Sequence, residues 1–250
     1  MSGHSKWAQI KRSKGVTDVK RGQAFTKLGR EISVAVREGG PSPDANARLR
    51  LAIERARAAN MAIDTIERAI KRAAGGGEEA QLDQLSYEGY GPGGAAIIVE
   101  VLTDNRNRAV AEVRSVFTRG GGSLGEAGCV AWMFDQRGVV TVELDGKDTD
   151  EAELLAIDAG AEDVTVEDGV MEVYSLPSDL DVVRTSLVDA GLNVVGAELS
   201  MVPKTPLTLE ANETVSTLRL MERLEDLDDV QKVYTNVEIS EEAVAEYATR

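Results

Sequence analysis

His4 is the only histidine of the 250-residue chain and Cys129 its only cysteine. A serine or cysteine nucleophile needs a rigidly held base beside it, and a single histidine in a leading basic segment does not supply one. Metal centres built on imidazole or thiolate need several such donors at fixed spacing, which this composition lacks. Asp and Glu together number 43; sequence leaves open a pair arranged for acid–base work, and most of these carboxylates read as solvated surface. The expectation is a protein without catalysis, metal or cofactor. Cys129, inside the apolar run "CVAWMF", reads as a core residue.

Two glycine loops, "GYGPGG" at 89–94 and "GGGSLG" at 120–125, satisfy G-x-G-x-x-G. A dinucleotide fingerprint also needs a helix straight after the loop, so that the helix N-terminus meets the pyrophosphate. Here the runs that follow, "AAIIVEVL" and "CVAWMF", read as strands, so neither loop feeds a helix.

What remains is electrostatic chemistry. "GHSKWAQIKRSKG", residues 3–15, sets Lys6, Lys11, Arg12 and Lys14 around Trp7 without a carboxylate, and Lys20, Arg21 and Lys27 follow. Flexible cations gain from counterion release on phosphate, and an exposed indole stacks on an unpaired base. Arg48 with Arg55, and Arg50 with Arg57, each seven residues apart, form two ridges beside the apolar stripe of one helix. In "TDNRNR", Asn105, Arg106 and Arg108 stand at a helix start and form a candidate phosphate site. The alternative there is that Asp104 and the arginines pair with one another around the cap. Residues 1–74 hold six Lys and ten Arg against seven acidic residues, a net charge of +9 in a chain whose total is −15. The first third attracts what the rest repels, so nucleic acid is the expected partner, DNA or ribosomal or messenger RNA, with the ribosome as a further candidate.

The elements that position these residues follow from periodicity. Phe25, Leu28, Ile32 and Val36 make a helical stripe ended by Gly39–Gly40–Pro41. A second helix spans about 44–60 with Leu49, Ala52, Ile53, Ala56 and Ala59 inward, and a third opens at Asp64 with Glu67 in a capping box. These form a small helical bundle behind a mobile basic arm. From 137 onward the order strand, helix, strand, strand, helix, strand is that of a ferredoxin-like unit, with Asp168–Gly169 as a hairpin turn and Ser178 capping the second helix. Around it lie a strand at 95–102, a helix at 106–119, a strand at 129–134, a helix at 210–224 and a strand near 230–237. The expected class is α+β: 1–76 as basic arm and helical bundle, 77–134 with 204–250 as a discontinuous α+β domain, and 135–203 as an inserted ferredoxin-like domain. No apolar run is long enough to span a membrane and no signal core opens the chain, so the expectation is a cytoplasmic protein, with oligomeric state left open.

Four segments carry a resemblance: "GHSKWAQIKRSKGVTDVKRGQAFTKLGREI", "ARLRLAIERARAANM", "YEGYGPGGAAIIVEVLTDNRNR" and "GGGSLGEAGCVAWMFDQRG". In that order they are similar to the signatures of the YebC/PmpR family and span nearly the whole chain. The resemblance implies three domains, a helical one first and two α+β domains of which one is inserted in the other. It also implies a non-enzymatic regulator, described for some relatives as a DNA-binding transcriptional regulator and for others, including the mitochondrial translational activator, as acting on translation. The sequence departs from its relatives at Ala62, where proline is common, and at Ala109, where threonine is common.

Overall fold

Three amphipathic helices open the continuous part of the chain in the computed structural model, which describes residues 6, 7, 10, 18–75 and 82–249. They are α1 (Asp18–Gly39), α2 (Ala47–Ala58) and α3 (Ile63–Ala74). Ile32, Ala35 and Val36 of α1, Leu49, Ala52, Ile53 and Ala56 of α2, and Ile66 and Ala73 of α3 close one shared core, with Phe25 and Leu28 packed partly buried against it. Asn46 stitches the first corner. Its side chain accepts from the Leu49 backbone N–H at 3.0 Å and donates to the Ala35 and Gly40 carbonyls, both at 2.8 Å. A Cβ on Gly39 would stand 2.6 Å from that amide, so only glycine fits. The third helix departs from expectation: Ala62 is its N-cap with no side-chain hydrogen bond, and Asp64 lies inside the first turn.

Beyond the helices the chain runs β1 (Asp83–Tyr90), β2 (Ala96–Thr103), α4 (Arg106–Arg119), β3 (Ser123–Leu124) and β4 (Phe134–Glu143). Then come α5 (Thr149–Asp158), β5 (Asp163–Glu167), β6 (Val170–Ser175), α6 (Leu180–Asp189) and β7 (Asn193–Pro203), followed by α7 (Ala211–Glu225), β8 (Val230–Thr235) and α8 (Glu241–Thr249). One sheet has the order β3-β1-β2-β8, and the other β5-β6-β4-β7. β2 is buried almost end to end between antiparallel β1 and β8, which is why it reads as an unbroken apolar run. Residues 135–202 form one compact unit and the remaining described residues another. The fold is α+β, with an N-terminal helical region and two sheet-containing domains.

Two other expectations change. "CVAWMF" is not a strand: only Phe134 enters β4, and Ala131–Met133 is a single 3₁₀ turn. The backbone N–H groups of Gly128, Val130 and Ala131 converge at 2.7–2.8 Å on the buried Glu88 carboxylate instead of joining a ladder. Cys129 is therefore half-buried in this loop and not in a core. Secondly, Asp179, not Ser178, stands at the N-cap of α6, and the Ser178 hydroxyl donates to the Asp179 carboxylate at 2.8 Å. The hairpin at Asp168–Gly169 has φ of +52° and +77° at its two central residues, the double left-handed geometry of a tight β-turn.

Candidate nucleic-acid interface

Trp7 is fully buried, which overturns the reading of its indole as a stacking surface. It lies with Ile10 in the core formed by β2, β8, α4, α7 and α8. The indole Nε1–H donates to Glu225 at 3.0 Å, and the ring meets Tyr247 edge-on at 5.5 Å between centroids. Burial of so large a ring outweighs any solvent-exposed role. Lys11, Arg12 and Lys14, the remainder of the arm's cluster, lie outside the described residues, as does the side chain of Lys20. Lys6 is helical and half-buried.

Lys27 was expected to meet phosphate, yet it turns inward. Its ammonium donates to the Glu225 backbone carbonyl. Gln23, Lys27 and Arg30, spaced four and three apart on one face of α1, all lean on the C-terminal end of α7 and the residues after it. Gln23 donates to the Asp226 carbonyl at 3.5 Å, and Arg30 to the Asp228 carbonyl at 2.6 Å and to the Asp229 carboxylate at 2.9 Å. The last carbonyls of a helix lack intrahelical donors and carry the negative end of its dipole, so cations are the natural partners there.

Asp229 gathers the "DNRNR" segment into the same clasp. Its carboxylate, with a side chain only 4% exposed, accepts from Thr103 Oγ1 at 2.8 Å, from Arg108 at 2.7 Å and from Arg30 at 2.9 Å. Burial alone would raise its pKa; hydrogen bonds from Arg108 and Thr103 and the charges of Arg108 and Arg30 prevail and hold it below the ordinary carboxylate value. Arg108 also pairs with Asp104 at 2.7 Å, and Arg106 forms a bidentate pair with Asp83 at 2.7 and 2.8 Å. Asn105 caps α4 by accepting from the Arg108 N–H at 3.0 Å. Both arginines of the candidate phosphate site are thus paired with carboxylates, Arg108 with Asp104 around the cap as the alternative had it and Arg106 with Asp83 outside it.

The two arginine ridges of α2 also divide. Arg55 pairs with Glu31 of α1, and Arg50 donates to the Pro43 carbonyl at 2.7 Å; both brace the bundle. Arg48 is exposed and pairs with Glu38, while Arg57 and Arg21 are exposed. Sequence reasoning passed over Arg37 and the third helix, where Arg68, Lys71 and Arg72 all reach solvent. The signal was present in "IERAIKRAA", whose cations fall opposite Ile66, Ala69, Ile70 and Ala73.

Reasoning from sequence also missed the exposed aromatics. Trp132 is 65% exposed and Tyr90 36%. Among the described residues no group of three or more His, Cys, Asp or Glu is arranged to hold a metal. The Cys129 thiol is pushed up by burial and by the Glu88 charge, which keeps it protonated and weakly nucleophilic.

Comparison with known proteins follows the same division of the chain. The TACO1/YebC protein N-terminal domain matches residues 5–76, and the TACO1/YebC second and third domain matches residues 82–237. A relative from Roseiflexus castenholzii, named "Probable transcriptional regulatory protein", is 53% identical over 254 residues and the alignment covers all of both chains. One of the same name from Herpetosiphon aurantiacus is 54% identical over 249 residues, covering 99% of each. The crystal structure of a conserved hypothetical protein from Aquifex aeolicus is 44% identical, with a TM-score of 0.83, covering 90% of this chain and 93% of that one. Matched from residue 5 to residue 237 and aligned end to end with its relatives, the chain belongs to the TACO1/YebC family.

Proposed function

We propose that the protein is a non-enzymatic, nucleic-acid-binding regulator of gene expression that acts on DNA in transcription. The observation that carries this reading is the surface of the helical region, where Arg21, Arg37, Arg57, Arg68, Lys71 and Arg72 are exposed and outnumber the exposed acids Glu38, Asp44, Asp64 and Glu67, on a chain that is otherwise strongly acidic. Such a surface draws phosphate while the acidic remainder limits indiscriminate coating of the polymer. The names carried by the relatives from Roseiflexus and Herpetosiphon point the same way. Lys11, Arg12 and Lys14, outside the described residues, are proposed to make phosphate contacts as well. No described helix is long and apolar enough to cross a membrane; the cytoplasm as the place of action is part of the same proposal. The strand order β5-β6-β4-β7 supports reading 135–203 as a ferredoxin-like unit inserted between 77–134 and 204–250.

The test is retardation of promoter-bearing DNA fragments at several salt concentrations. A saturable, sequence-dependent shift with a steep salt slope is the expected result; no shift at low salt would reject the proposal. A second reading is a ribosome-associated translation factor binding RNA. It is favoured by the exposed aromatic pair, because flat rings suit unpaired bases better than duplex. Co-sedimentation with ribosomes from cell extract distinguishes the two.

A further inference from the structure

The two exposed aromatic rings are tied to one atom. Tyr90 Oη–H and Trp132 Nε1–H both donate to the Cys129 backbone carbonyl, each at 3.0 Å, so their polar ends lie within about 6 Å of each other. With the hydroxyl and the indole N–H already satisfied, what each ring offers solvent is its apolar π surface. This geometry is built rather than incidental. The loop leading to Trp132 is pinned by three backbone N–H groups on Glu88, and Gly125 packs so closely on Cys129 that a Cβ would come 2.5 Å from Sγ. On the Tyr90 side, a Cβ on Gly122 would meet the Tyr90 carbonyl at 2.5 Å. Rings held this firmly lose little conformational freedom when a ligand arrives.

We infer that Tyr90 and Trp132 form a stacking platform for an unpaired base of a single-stranded nucleic-acid segment. Three observations favour that occupant. The rings present flat π faces without a spare donor. Of the neighbouring glycine-rich loops at 91–94 and 120–122, Gly94 and Gly121 stand open, with only Pro92 as near as 3.9 Å to a Cβ at Gly121, so a sugar–phosphate backbone can approach at those two positions, while Leu209, Glu213 and Leu220 pack on the others. Exposed cations border both ends: Arg119 closes α4 just before Gly120, and Lys204 donates its backbone N–H to the Met133 carbonyl at 2.8 Å, one residue beyond Trp132. A base on the rings with phosphates toward cations is the pattern of sequence-tolerant single-strand binding. The inference rests on the nucleic-acid reading above and narrows it to unpaired strands at this place.

The experiment uses the full chain and its own fluorescence. The chain has two tryptophans, and with Trp7 buried the emission open to quenching belongs to Trp132. Twelve-nucleotide oligoadenylate, as RNA and as DNA, a twelve-base-pair duplex and a proline-rich peptide are each titrated, with binding read independently by anisotropy of labelled probe. The expected result is quenching by the single strands, weakened binding of roughly 5- to 150-fold in Trp132→Ala, and an intermediate loss in Trp132→Phe. Because Trp132 is largely exposed, the alanine variant is expected to fold, and the duplex affinity of the same preparation checks this. Single-strand binding that leaves Trp132 emission and the Trp132→Ala affinity unchanged would overturn the platform while leaving the broader proposal standing. Quenching by the peptide alone would overturn it in favour of a protein ligand. Failure of wild-type protein to bind any nucleic acid probe would overturn both readings.

Discussion

Asp229 shows how one carboxylate decides what several cations are for. Arg30, Arg108 and Thr103 all spend a donor on it, so Arg108, a candidate phosphate ligand by sequence, is with Arg30 part of a clasp between α1, the start of α4 and the chain after α7. Replacing Asp229 with Asn removes the charge that those arginines face, and should cost about 1.5–3 kcal/mol, the range for a charge-assisted hydrogen bond, in urea denaturation at neutral pH. The pH dependence has a definite sign. Because the folded-state pKa of Asp229 is depressed, its contribution is complete above about pH 4 and is lost as pH falls through the folded value. Wild type should therefore lose stability on acidification more steeply than Asp229→Asn, and identical acid limbs would refute the clasp. Trp7 belongs to the same scale. Truncating it to alanine opens a large cavity and removes the indole N–H from Glu225, so a loss of about 3–5 kcal/mol is expected. A change below about 1 kcal/mol would mean that the indole is solvated after all.

At the level of elements, caps and loops carry the informative departures. Ala62 begins α3 at φ −62° and ψ 140° with no side-chain cap, a backbone that proline adopts unstrained. Ala62→Pro should raise stability by about 0.4–1 kcal/mol by restricting the unfolded chain, seen as a higher midpoint in thermal denaturation. The loop at 125–131 is organised by Glu88. Burial would raise the Glu88 pKa, but three backbone N–H donors prevail and lower it. Glu88→Ala leaves those donors without their acceptor, and a loss of at least about 2 kcal/mol is expected, with faster amide exchange at Val130 and Ala131. The β-branched and aromatic content of "CVAWMF" favours a strand, and a carboxylate 41 residues upstream of Cys129 overrides that preference. β1 escaped notice for the converse reason: "DQLSYEGY" has only Leu85 and Tyr87 facing the core, and pairing with β2 supplies what its composition lacks.

For the whole molecule, charge is segregated by domain. Residues 135–202 hold 17 acidic and three basic side chains, a net charge of −14, nearly the full −15 of the chain, while the first 74 residues are net positive. If the exposed cations of the helical region meet DNA as proposed, the salt dependence of binding counts their phosphate contacts. Charge reversal at Arg57, Arg68 and Lys71, which are exposed on α2 and α3, should lower the salt slope of DNA binding by roughly 2–3 and weaken all fragments alike. An unchanged slope would place the interface elsewhere.

Sequence by itself determined the helices, because 3.6-residue periodicity is local: Ile32 with Val36, and Leu49 with Ala52, Ile53 and Ala56, are buried as spaced. It also determined the order of strands and helices between residues 137 and 237, though not α8 beyond them, together with the hairpin at Asp168–Gly169, the charge asymmetry and the family signatures. Tertiary structure alone decided which cations remain at the surface and which tryptophan does. Trp7 meets Glu225 across 218 residues and Arg30 meets Asp229 across 199, contacts that no local pattern encodes. Whether a charged or aromatic side chain is buried or exposed depends on which distant acid or cavity the fold brings to it, so the same residue types served as core and clasp at Trp7 and Arg30, and as open surface at Trp132 and Arg57.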